Sequence, residues 1–251
     1  MRAVILTAGR GGRLREVTGE RPKCLAQVGG RTLLDRQLGS LRGCGITRIA
    51  VVTGYKSVDV RRACGPTIDY VHNAQFAGTN SLYSLWLARE LLTDGFLVMN
   101  CDVVFHPQLL ADLITSKYDD ALLMSPACAD HDYTDEEMKV RVRGGRVMDI
   151  SKTMPPEDAD GESIGIAKFG KDGAAVLIEE MNRIVSEGAL MDWLPAAFAR
   201  FCRRRVLHAV EHRGFPWIEI DSPQDYWRAC THIAPALEAP ARPDRRSSRH
   251  V

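Results

Sequence analysis

With 251 residues, 45% of them hydrophobic, the chain is long enough to bury the core of one large α/β domain or of two small ones. Its 33 basic and 32 acidic side chains leave a formal charge of +1, which argues against a dedicated nucleic-acid or membrane surface. The seven cysteines, at 24, 44, 64, 101, 128, 202 and 230, are odd in number and contain no C-x-x-C, so they speak against a disulfide framework or cysteine zinc site and for a reduced, cytoplasmic protein.

Residues 2–7 read as a buried strand, too short for a signal or spanning segment. It breaks into Thr7-Ala8-Gly9-Arg10-Gly11-Gly12-Arg13-Leu14, and Pro22-Lys23 follows, with Lys23 nine residues after Leu14. A glycine-rich loop after an apolar strand offers backbone N–H groups to phosphate, which makes a nucleotide the first ligand to consider. A Walker A loop would need Gly-Lys-Ser/Thr, and the sequence has Arg13-Leu14 instead. A dinucleotide fingerprint would need glycine where Leu14 stands. A plain strand-to-helix turn is the competing reading, and Arg13 with Lys23 weighs against it.

Next come a helix over 33–41, closed by Gly43 and Gly45, and a strand over 48–53. A helix over 58–63, capped by Ser57 and ended by Gly65, precedes a strand at 68–71. Asn80 is expected to cap a helix running through Leu92, and the apolar strand 96–100 ends on Cys101-Asp102. In the middle, 138–142 and 146–150 flank Gly144-Gly145 as a hairpin, followed by a strand over 163–169. Helices are expected over 172–187 and 191–201, then a strand over 217–220 that ends on Asp221. Pro223 opens a last helix to Ile233. This order predicts one α/β domain over 1–233, a mixed, mostly parallel Rossmann-like sheet flanked by helices with a small β-hairpin insertion. Residues 234–251, rich in Ala, Pro, Arg and Ser, read as a disordered tail. The arginine runs at 203–205 and 245–246 read as solvated surface.

Asp102 and Asp221 each stand just beyond a predicted strand. Strand carboxyl ends converge on the ligand crevice of an open parallel sheet, so the two aspartates are candidates to hold one Mg²⁺ beside phosphates. Singly, such an aspartate is more often a helix cap or turn residue. Glu219, facing away from Ile220, ranks below them. The histidines show no triad spacing and read as turn or surface residues. Cys101, beside Asp102, is close enough to the expected site to be open to modification.

The loop resembles the signature of nucleotidyltransferases that activate sugar phosphates and small phosphorylated alcohols. Leu6, Ala8, Gly9, Gly11, Arg13, Leu14, Thr18, Pro22 and Lys23 fill its places, and Thr7, Glu16 and Val17 depart from it without touching a charge. The segments 79–85, 161–169 and 219–226, with Asp102, look like the bacterial choline-phosphate cytidylyltransferase branch and its relatives acting on phosphonates and inositol phosphate. The resemblance covers residues 1 to about 230. It implies the nucleotide-diphospho-sugar transferase fold, a CTP donor and Mg²⁺ on Asp102 and Asp221. It also implies triphosphate contacts from Gly9, Gly11, Gly12, Arg13 and Lys23, with Asn73, Thr79, Asn80 and Ser81 near the base.

The candidate acceptor residues are Lys139, Lys152, Glu162 and Asp192. Corresponding lysines of the inositol-phosphate branch look suited to the acceptor's phosphate. Choline would want an aromatic cage, for which Trp193, Trp217 and Tyr133 with Asp192 are available; a carboxylated acceptor would want Arg141 and Lys168. The expected function is a Mg²⁺-dependent cytidylyltransferase acting on a small phosphate or phosphonate, as a monomer or homodimer. A sugar-1-phosphate or inositol-phosphate nucleotidyltransferase and a non-catalytic nucleotide-binding regulatory subunit are the alternatives.

Overall fold

The computed structural model describes residues 1–128, 133 and 136–238. The strands are β1 (Arg2–Leu6), β2 (Gln27–Val28), β3 (Arg31–Thr32), β4 (Ile49–Thr53), β5 (Asp69–His72), β6 (Phe96–Asn100), β7 (Val103–Phe105) and β8 (Ala121–Pro126). The second half adds β9 (Lys139–Arg143), β10 (Arg146–Ser151), β11 (Gly161–Phe169), β12 (His208–Glu211) and β13 (Trp217–Glu219). Nine of them form one sheet in the order β5-β4-β1-β6-β11-β8-β12-β10-β9. Parallel pairing is confined to β5-β4-β1-β6 and to β8-β12; β11 runs antiparallel to β6 and β8, and the hairpin β9–β10 is antiparallel.

The parallel half is apolar on both faces because helices cover both. Val4, Leu6, Phe96 and Val98 face one core with Leu82, Leu85, Leu177 and Phe198. Ala3, Ile5, Leu97 and Met99 face the other with Leu34, Leu38, Val60 and Leu109. The helices on the first face are Ser81–Leu87, Lys171–Ser186 and Leu194–Cys202, and those on the second are Leu33–Gly43, Ser57–Cys64 and Pro107–Thr115. A third, smaller core of Leu14, Ala26, Val28, Leu33, Val104, Ile218 and Ile220 underlies the lysine loop.

Several boundaries differ from expectation for local reasons. Ser57 is the first residue of its helix and supplies no cap; Lys56 before it takes a left-handed conformation. Asn80 does cap its helix, accepting from the Ser81 N–H at 2.8 Å. That helix stops at Leu87, and a 3₁₀ turn (Arg89–Leu91) follows as Ala88 bonds back to Leu85. Helix Pro107–Thr115 and strands β7, β8 and β12 went unassigned in the sequence. The last helix, set by a Ser222–Asp225 capping box, continues past residue 233 through a π turn to Glu238, with Ala234 buried. Residues 239–251 of the expected tail lie outside the described residues.

Asp221 provides the main topological surprise. Its strand, β13, is outside the large sheet and pairs antiparallel with β7 in a two-stranded ribbon. Asp102 therefore meets Asp221 through a local ribbon immediately after β6, with the Ile220 N–H donating to the Asp102 carbonyl at 3.0 Å.

Strand β11 bulges between Ser163 and Ala167 as it passes the crevice. Gly165 sits there at φ +75°, and a Cβ would come within 2.8 Å of Asn100 Nδ2. Gly165→Ala is expected to destabilise the protein by about 1–3 kcal/mol, the cost of a left-handed non-glycine residue, read as a lower denaturant midpoint.

Candidate active site

The carboxyl ends of β1 and β6, with Ser163, Gly165 and Ala167 of the antiparallel β11, open onto a cavity of about 280 Å³. Leu6 and Ala8 form part of its wall, with Gly9, Gly11, Gly12 and Arg13 along the loop above them. The Thr7 hydroxyl donates to the Val52 carbonyl at 2.9 Å, tying the loop's root to β4. Gly11 adopts φ +65°, and a Cβ there would lie 2.6 Å from Lys23 Cβ. Only glycine lets the loop pack this tightly on the lysine.

Lys23 is the electrostatic hub. It follows Pro22 in a short 3₁₀ turn, is nearly buried, and donates through Nζ to Asp102 Oδ2 at 2.9 Å and to Asp221 Oδ1 at 2.7 Å. Burial alone would lower its pKa, but the two carboxylates outweigh that and hold the ammonium well above its ordinary range. Burial would likewise raise the Asp221 carboxyl, and Lys23, then Arg13 and Lys152, pull it below its usual value. Arg13 Nη2 lies 3.2 Å from Asp221 Oδ1. Glu219 moves the other way, pushed well up by burial and then by Asp102 and Asp221.

Asp102, Glu219 and Asp221 each place an oxygen within 4.8 Å of the others. Glu219 belongs with the two aspartates, above its rank in the sequence; the period-two spacing of Glu219 and Asp221 along an extended segment was the signal. The turn carrying Asp102 is clamped by Gln37, whose Nε2 donates to the Asn100 carbonyl at 2.8 Å and the Val103 carbonyl at 3.0 Å. Cys101 lines the cavity, and its contact with Cys24 and its burial push the thiol well up.

Thr79, Asn80, Ser81 and Ser84 also line the wall with Phe76, which sequence reasoning missed. Outside the wall, the Arg10 guanidinium sits 5.7 Å from both the Phe76 and Tyr55 ring centroids. Asn73 does not line the cavity. It is fully buried behind it, donating to Thr79 Oγ1 at 3.0 Å and Ser84 Oγ at 3.1 Å while accepting from the Gln75 N–H. Its place is that of a brace for the 75–79 loop.

Of the expected acceptor residues, only Lys152 reaches the cavity. Lys139 is buried within the sheet, opposite Ser151 of β10 and Glu162 of β11. Glu162 and Asp192 are off the wall. The aromatic cage does not assemble among the described residues: Trp193 lines the cavity, whereas Trp217 packs into the second core and Tyr133 stands off the wall. Lys168 is buried, donating to the Ile114 and Ser116 carbonyls, and Arg141 lies 3.9 Å from Asp149 on the hairpin. Neither lines the cavity; which face of a strand meets the crevice is set by register and not by the residue itself. Asn100, Glu136, Met138, Ser163, Leu194 and Phe198 also line the cavity and went unnoticed as site residues.

Residues 3–219 match the model of the MobA-like NTP transferase domain. The chain is 31% identical over 229 residues, 89% of its length, to a bifunctional IPC transferase and DIPP synthase of Rubrobacter xylanophilus, and spans about half of that protein's length. Over 118 residues, 45% of the chain and 19% of the relative, it is 41% identical to a CMP-5'-(3-aminopropyl)phosphonate synthase of Streptomyces rubellomurinus. Its fold matches the inositol-1-phosphate CTP transferase of T. maritima with a TM-score of 0.77, at 21% identity over 94% of each chain. The fold is thus that of the nucleotide-diphospho-sugar transferases, and the chain belongs to the MobA-like NTP transferase domain family.

Proposed function

We propose that the chain transfers CMP from CTP to a small phosphate or phosphonate acceptor and releases pyrophosphate. The observation that carries this reading is the meeting of the glycine–arginine loop, Lys23 and three hard-oxygen ligands at one end of a single cavity. The donor and the acceptor class rest on relatives named for CMP or CTP transfer to phosphonate and inositol phosphate.

The residues fit a magnesium ion. Asp102, Glu219 and Asp221 are all carboxylates, the donor type Mg²⁺ takes together with phosphate oxygens. Asp102 Oδ1 is buried without a hydrogen-bond partner, an arrangement that is costly unless a ligand satisfies it. When bound, the ion supplies charge neutralisation at phosphoryl oxygens.

An acceptor oxygen attacks the α-phosphorus of CTP in line; a new P–O bond forms as the bond to the bridging oxygen of the departing pyrophosphate breaks. The acceptor is already a dianion near neutral pH, its second pKa being about 6, so no side chain need take a proton. The protein's share is alignment and charge. Lys23 holds Asp102 and Asp221 together with two of its three donors, leaving the third for a phosphoryl oxygen. Arg13, at the rim of the loop, neutralises the leaving pyrophosphate.

Pyrophosphate release measured with Mg²⁺ for each of the four NTPs, against phosphocholine, inositol phosphate, sugar 1-phosphates and small phosphonates, tests the reading. Turnover is expected with CTP and a small phosphate or phosphonate. Turnover confined to sugar 1-phosphates would replace the acceptor class, and CTP binding without turnover on any acceptor would leave a nucleotide-binding subunit.

A further inference from the structure

Among the described residues, one carboxylate lining the cavity is not part of the acidic cluster. Glu136 Oε2 lies 2.6 Å from Arg13 Nη1 and 3.6 Å from Lys152 Nζ. The two cations come from separate segments, the glycine loop and the chain just beyond β10, and Lys152 is itself held 4.7 Å from the centroid of the Trp193 ring. All four side chains line the cavity. Bonding to Arg13 pulls the Glu136 carboxyl below its usual range, so at neutral pH it stands between them as an anion.

We propose that Glu136 is an internal competitor for the phosphoryl-binding cations, and that a phosphate or phosphonate dianion enters by displacing its carboxylate from Arg13 and Lys152. The inference rests on the reading of those two residues as phosphoryl ligands. The exchange is physically favourable. Glu136 and Arg13 are both about half exposed, at 58% and 52%, and an ion pair in that setting contributes little because solvent screens it and ordering two side chains opposes it. A phosphoryl group brings twice the charge, three acceptor oxygens and a geometry that suits a guanidinium fork. The arrangement therefore discriminates by charge: a dianion gains on exchange, whereas a carboxylate or a monoanionic diester merely replaces one monoanion with another.

The test is calorimetric titration of the full chain with inorganic phosphate and with methylphosphonate, for the parent, Glu136→Gln, Glu136→Ala and Lys152→Met. Both Glu136 variants are expected to bind either probe several-fold more tightly, and Lys152→Met several-fold more weakly. In Glu136→Gln combined with Lys152→Met, the gain should shrink, because the competitor matters only while its cations are present. Unchanged or weaker binding in both Glu136 variants would overturn the proposal and make the carboxylate a structural partner of Arg13. Failure of the probes to bind parent and variants alike would also overturn it. Because the titration requires no turnover, it is independent of the pyrophosphate assay: absence of turnover by the parent on every acceptor, with the tightening intact, would refute the transfer reaction and leave the competitor in place.

Discussion

Asp102→Asn is expected to lower pyrophosphate release by at least about a hundredfold, the scale on which preorganised charge stabilisation is lost when one contributor is removed, while the protein stays folded. The side chain and the backbone of Asp102 have separate tasks. Its carbonyl accepts from Ile220 and joins the ribbon to β6, and that bond survives the substitution. Its Oδ2 accepts from Lys23, which an amide oxygen can still do, whereas the buried Oδ1 has no hydrogen-bond partner in a side chain that stands within ligand reach of Glu219 and Asp221. An amide there presents a donor or a neutral oxygen where an anionic ligand is needed. Steady-state rates across a Mg²⁺ titration, with circular dichroism as the folding control, check the expectation. A variant retaining most of the parental rate would remove Asp102 from the metal-binding set.

Lys23→Met should cost stability in addition to removing a phosphoryl ligand. It leaves Asp102, Asp221 and Glu219 within 4.8 Å of one another without the ammonium that bonds the two aspartates. Removing one partner of such a buried arrangement costs about 3–5 kcal/mol. The loss should depend on pH with a definite sign. The Glu219 carboxyl is already raised in the folded chain, by burial and then by its two neighbours, and Lys23 is the first group opposing that rise. Without it, the folded state binds a proton more tightly still than the unfolded state does. The contribution of Glu219 to the variant's stability is then fully present below the unfolded carboxyl pKa of about 4.3 and is lost as pH rises through the elevated folded value. Urea unfolding at mildly acidic and mildly basic pH reads this directly, and Mg²⁺ should restore part of the deficit by taking the place of the missing positive charge. Equal stability of parent and variant at both pH values would mean that the carboxylates do not depend on Lys23 for neutralisation.

Where local chemistry settles the conformation, the sequence was informative. β1 and β6 are continuous apolar runs because both faces of the central sheet are covered. Hairpin β9–β10 follows from two alternating segments about Gly144-Gly145, and the last helix from Ser222, Pro223 and Asp225. The same holds for the loop from Gly9 to Arg13 and for Lys23, Asp102 and Asp221: glycine, cation and carboxylate at these places have a chemical purpose readable without a fold, and the structure gathers them around one cavity.

The acceptor side was hidden because it depends on the facing of strands and on contacts between distant segments. Lys139 and Lys152 stand at the same open end of the hairpin, yet the pleat and pairing bury one inside the sheet and bring the other to the cavity beside Trp193. A single-residue change of register would exchange such faces, and nothing local to a lysine encodes which it takes. The β7–β13 ribbon is of the same kind: three-residue strands 114 positions apart, outside the large sheet, are held by the small third core and by the Ile220–Asp102 bond. The sequence by itself determined the residues proposed to bind phosphate and the parallel half of the sheet, since both arise from short-range composition and periodicity. Only the tertiary structure decided that Glu219 joins the aspartates, that Asn73 braces rather than lines the wall, and that Glu136 reaches Arg13 and Lys152, because each depends on long-range packing that no local pattern records.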